Sequence, residues 1–76
     1  MKIEKKVEVL KGSMCIIINE CVFVNNKLIS NHTIICDSIR FYRVHNILCM
    51  VLYCQDNLVM MYRKDEWTFT FKEVKK

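Results

Sequence analysis

The sequence predicts an all-β domain: a small antiparallel meander of six or seven strands forming a barrel or sandwich, with at most one short helix. Three observations carry that expectation. Apolar side chains recur with period two at both ends of the chain, where Ile3, Val7 and Val9 alternate with Glu4, Lys6 and Glu8, and Trp67, Phe69 and Phe71 alternate with Glu66, Thr68, Thr70 and Lys72. Between them lie β-branched and aromatic runs separated by short polar pairs. Helix-favouring alanine is absent, as is proline, and no helix-start signal stands out.

Taken in order, the first strand covers residues 2–10 on its alternation, and Gly12 fits a turn between Leu10 and Met14. Residues 14–24 and 27–36 follow, divided by Asn25-Asn26; asparagine tolerates positive φ, so this pair suits a two-residue primed turn without glycine. Residues 38–44 and 47–54 flank His45-Asn46, residues 58–63 follow Asp56-Asn57, and residues 66–74 follow Lys64-Asp65. The one short helix, if formed, belongs in residues 28–39. The whole of 1–76 reads as a single all-β domain, because a chain this short hides only about 60% of the surface that its unfolded form exposes.

Composition points to a folded protein and to a genome type. The chain is 53% hydrophobic and 26% charged, enough apolar surface to offset the entropy of ordering. Residues specified by AT-rich codons (Phe, Tyr, Met, Ile, Asn, Lys) make up 36 of 76, whereas Gly, Ala, Arg and Pro together make up 4. An AT-rich genome is the implied source, a compact virus or phage among the candidates. The longest apolar run, Ile47 to Cys54, is far short of the roughly 18 to 20 residues that span a bilayer as a helix. Glu8, Lys11 and Ser13 interrupt any signal-peptide core after the basic start, so a cytoplasmic location is expected, in the host cytoplasm for a viral protein.

Five cysteines (Cys15, Cys21, Cys36, Cys49, Cys54) are an odd number with no Cys-x-x-Cys pair, and read as small buried apolar residues in a reducing compartment. His32 to Cys36 and His45 to Cys49 each have the form His-x-x-x-Cys, a set of two imidazoles and two thiols that could in principle hold zinc. Residues four apart on a strand stand about 13 Å from one another, so neither pair binds an ion locally. No cofactor or metal is expected. Catalysis finds no support either, since the chain has no nucleophile elbow, no HExxH helix and no phosphate-cradling glycine loop.

Two binding readings remain. Met14 to Ile18, Ile34 to Cys36 and Ile47 to Cys54 are apolar on both faces, yet a sandwich has one interior. Leaving one large apolar side chain in water forgoes about 1.5–3 kcal/mol, so the strand 47–54 calls for a second cover: a folded-over part of the chain, a second copy, or a foreign protein. The leading expectation is a non-enzymatic protein-interaction module, in a virus or phage an inhibitor of a host or defence factor, docking or dimerising through Met50, Leu52, Tyr53, Met60 and Tyr62. The alternative is a small β-barrel that binds RNA or DNA through Arg40, Tyr42, Arg43, Arg63, Lys72 and the other terminal lysines. It rests on Arg40-Phe41-Tyr42-Arg43, where alternation puts Arg40 and Tyr42 on one face and Phe41 and Arg43 on the other. No RNP1 pattern accompanies it.

Overall fold

The computed structural model describes residues 1–73 and contains seven strands: β1 (Ile3–Lys11), β2 (Ile16–Val24), β3 (Lys27–Cys36), β4 (Ser38–Val44), β5 (Ile47–Cys54), β6 (Asn57–Arg63) and β7 (Thr68–Glu73). The expected strand segments are all present, their ends displaced by two residues at most; Val74, Lys75 and Lys76 lie outside the described residues. No helix occurs among the described residues, so none is long and apolar enough to cross a membrane. The segment 28–39 is instead β3 and the start of β4: its β-branched Thr33, Ile34 and Ile35 pair with Asn19, Ile18 and Ile17 of β2.

The strands form a two-layer sandwich, one sheet in the order β3-β2-β1-β7 and the other β4-β5-β6, about 19 Å through its thin dimension. Within the sequences β1-β2-β3 and β4-β5-β6 the meander is antiparallel as expected. The exception is β1 with β7, which pair in parallel. Strands of a meander alternate in direction, so the first and seventh point the same way, and returning β7 beside β1 leaves no other orientation.

Three hairpins turn on two-residue pairs with positive φ at both positions: Asn25-Asn26 (49°, 68°), His45-Asn46 (51°, 65°) and Gln55-Asp56 (53°, 64°). The first two were legible from composition. The third lies one residue earlier than Asp56-Asn57, and Asn57 instead opens β6. Asp37 fixes this displaced turn: the single residue between β3 and β4, it accepts the Gln55 N–H at Oδ2 (2.8 Å) and donates its own N–H to the Tyr53 carbonyl (3.1 Å). Glutamine lacks asparagine's ease in the left-handed region. Gln55→Asn is therefore expected to raise stability by about 0.5–1 kcal/mol in urea unfolding, and Gln55→Val to lower it, while the backbone bond to Asp37 is retained in both.

Alternation sends Val7 and Val9 of β1, Ile18 of β2 and Cys36 of β3 inward to meet Met50 and Leu52 of β5 and Tyr62 of β6; these form the buried core. Trp67, Phe69, Ile34, Ile39 and Met60 are partly buried against it. Among the described residues no folded-over part of the chain covers the outer face of β5. The central strand of its sheet, it is enclosed on the inner face by the other sheet. On the outer face Val51, 3% exposed, lies between its cross-strand partners Arg40 and Met61, whose long side chains flank it. One chain thus shelters both faces of the middle of β5, which removes this strand as a reason to require a second molecule.

Candidate interaction surface

Cross-strand register assigns each side chain of β4-β5-β6 to a face. Because Leu52 and Met50 point into the core, so do their partners Ile39 and Phe41 on β4 and Met60 and Tyr62 on β6. The outer face therefore carries Arg40, Tyr42 and Val44 of β4, Ile47, Cys49, Val51 and Tyr53 of β5, and Leu58, Met61 and Arg63 of β6.

Of the five side chains expected at an apolar surface, Met50, Leu52 and Tyr62 are fully buried core residues, and Met60 packs partly buried against them. Tyr53 alone is on the outer face. The bare apolar surface lies one residue out of step: Tyr42, Val44 and Met61 are 43–48% exposed and Leu58 is 62% exposed.

The cations proposed for nucleic acid separate. Arg40 and Tyr42 do share a face with Tyr53, and the Arg40 guanidinium carbon lies 4.9 Å from the Tyr53 ring centroid. Hydrogen bonding from Tyr53 and Arg40 holds the Tyr42 phenol below its ordinary value, while the Tyr53 phenol is raised by its bond to Tyr42. Arg43 points the other way on β4, opposite Leu48. Arg63 is gripped by Asp65 through two bonds, Nε to Oδ1 at 3.1 Å and Nη2 to Oδ2 at 2.6 Å, and lies 3.6 Å from Glu66. Lys72 sits on the other sheet, 3.0 Å from Glu8. The remaining terminal lysines Lys75 and Lys76 lie outside the described residues, and Lys2 and Lys6 are both paired to Glu4 (3.4 and 3.7 Å).

Chemistry-bearing side chains are dispersed. Among the described residues no three or more His, Cys, Asp or Glu come together as a metal would need. His32 lies beside Glu20 (3.7 Å) and Ser30 (3.4 Å), whereas His45 occupies a hairpin turn. All five cysteines are free thiols; burial, with Asp37 next to it, pushes the Cys36 thiol above its ordinary value.

What sequence reasoning missed is the pairing of Tyr62 with Glu20, whose carboxylate is carried by β2 to the inner face and accepts the phenol proton at 2.7 Å. Position 20 did carry a signal: Glu20 interrupts the inward series Ile16, Ile18, Val22 and Val24, and a carboxylate facing a core needs a donor. Comparison with protein-family models, with curated proteins and with solved structures finds no match.

Proposed function

We propose that the protein is a non-enzymatic interaction module that binds a protein partner through the outer face of β4-β5-β6. One observation carries the reading: on this face Val44, Met61, Leu58 and Tyr42 stand open to solvent, while its two arginines are already engaged within the chain. A face with satisfied cations and bare apolar side chains suits a neutral, apolar partner surface rather than a polyanion. Tyr42 and Tyr53 supply the amphipathic anchors that such contacts use. The AT-rich composition suits a virus or phage among other sources, and for a viral protein the partner is a host or defence factor met in the cytoplasm.

Nucleic acid fits the same face less well. Arg40 occupies the ring of Tyr53, where a base would stack, and Arg63 and Lys72 are neutralised by nearby carboxylates.

Met61→Glu is the test, with Thr33→Glu on the opposite sheet as control. A partner retained by the wild type and the control should bind Met61→Glu at least about thirty-fold more weakly, the loss of a central interface side chain. Equal binding by both variants would overturn the assignment of the face. Retardation of RNA or DNA that weakens steeply with salt, and that Arg40→Ala abolishes, would favour the nucleic-acid reading instead.

A further inference from the structure

Four strands end the two sheets, and they are not equally protected. Edge strands offer unpaired backbone donors and acceptors, which proteins commonly blunt with bulges or charges. β3 carries an extra residue at Ile29, where pairing passes from Val22–Ser30 to Phe23–Leu28, and β6 carries one at Val59, between Leu52–Met60 and Tyr53–Leu58. β4 is regular but bears an arginine on each face, Arg40 and Arg43. β7 pairs with β1 over Thr68–Glu73 without a break and has no bulge; its two charges, Lys72 and Glu73, stand together at its end and leave Thr68 to Phe71 uncharged, whereas the arginines of β4 are spread along it.

This edge also borders a cleft in the sandwich. Between β4 and β7 a cleft of about 500 Å³ is floored by Val9, Ile16 and Ile39 and flanked by Phe41 and Phe71. The two rings touch at 6.0 Å between centroids, yet Phe41 is 48% and Phe71 56% exposed. A regular free edge and a half-bare aromatic pair thus occur side by side.

We propose that two copies of the chain pair antiparallel through β7, joining the four-stranded sheets into one of eight strands. An antiparallel edge is self-complementary under a two-fold axis, so a second copy is the occupant that satisfies every outward-pointing backbone group of β7 with an equivalent group. With the axis at Thr70, Phe69 of each copy faces Phe71 of the other on the core side, and Thr68 faces Lys72 on the outer side. Between Trp67 and Glu73 no like charges oppose one another in this register, and both clefts close toward the axis. This surface is distinct from the docking face of β4-β5-β6, and neither proposal depends on the other.

Sedimentation equilibrium over rising concentration tests it. The wild type should reach twice 9.2 kDa. Phe71→Glu, which replaces two cross-strand aromatic pairs per dimer, should weaken association about tenfold or more with an unchanged circular-dichroism spectrum. Met61→Glu should still dimerise. Should Phe71→Glu not fold, amide exchange in the wild type decides: protection gained with concentration should fall on alternate amides of β7. A wild type that stays monomeric at millimolar concentration, a Phe71→Glu variant that still dimerises fully, or protection confined to β4-β5-β6 would each overturn the proposal. Loss of partner binding by Met61→Glu with dimerisation intact leaves both proposals standing, whereas loss of dimerisation by Met61→Glu defeats only this one.

Discussion

Leu52→Ala is expected to destabilise the fold by about 2–5 kcal/mol, enough to leave much of the protein unfolded at ambient temperature. Leu52 has no solvent exposure and stands in the centre of a core built from few residues of each sheet, with Met50 beside it and Val7, Val9 and Ile18 in the same cluster. In a sandwich this thin, the side chains around Leu52 are held by the two sheet backbones and have little freedom to collapse into the space of the lost isobutyl group, which places the cost in the upper part of that range. Val51→Ala is the informative partner variant. It removes less volume, and the cavity would open under the flexible side chains of Arg40 and Met61, which can settle into it. Its expected cost is about 1 kcal/mol. Urea unfolding of the two variants should show midpoints well separated with a common slope; equal losses would mean that the two faces of β5 are sheltered equally firmly.

How far the fold could be read from the chain depended on where polarity broke the apolar pattern. In β1 and β7 the core-facing Val7, Phe69 and Phe71 are flanked on both sides by Glu, Lys or Thr, and Val9 on one side by Glu8, so both the strand and its inward face follow from alternation alone. The turn pairs at 25–26 and 45–46 contain asparagine, which tolerates positive φ better than other non-glycine residues; the first was the strongest turn signal in the chain and the second a weaker one. The return of β7 to the first sheet leaves no local mark, because pairing between β1 and β7 spans nearly the whole chain.

The docking face was harder because β5 is apolar on both sides, and hydrophobicity then says nothing about which side is inward. Only register can decide, and register hangs on the turn. A hairpin centred on Asp56-Asn57 sets Met50 opposite Arg63 and places a charge on its face. Centred on Gln55-Asp56, with the extra residue at Val59 counted, the same hairpin sets Met50 opposite Tyr62 and turns it to the core. Residue type carries no such information: Met50, Leu52 and Tyr62 are expected at a surface as adaptable or amphipathic side chains and are found inside. The displaced turn is held by Asp37, eighteen residues from Gln55, and no local reading of positions 55–57 contains that bond.

Tyr62→Phe is expected to cost about 1–3 kcal/mol even though the ring is kept, and to change how stability depends on pH. The phenol is fully buried, donates to Glu20 Oε2 at 2.7 Å, and meets Trp67 edge-on at 5.1 Å between centroids. Removing the hydroxyl leaves the packing with Trp67 in place but strips Glu20, whose side chain is only 16% exposed, of its donor. Burial first, and the Glu20 carboxylate second, push the Tyr62 phenol far above its ordinary 10.0. The folded chain thus keeps a proton that the unfolded chain loses near pH 10. Where the unfolded state binds fewer protons, unfolding becomes easier as pH rises, so this stabilisation is whole below pH 10 and declines above it by up to about 1.4 kcal/mol per pH unit. Cys36, raised from 9.0 by burial, acts in the same direction from about a unit lower. Stability measured from pH 8 to 11 should therefore fall more steeply above pH 10 in the wild type than in Tyr62→Phe, with the Cys36 contribution common to both. Glu20→Gln separates the two causes: the amide oxygen can still accept the phenol proton, so the variant should retain most of the alkaline decline, whose larger cause is burial. Parallel pH profiles for wild type and Tyr62→Phe would show that the phenol is not held neutral by its surroundings.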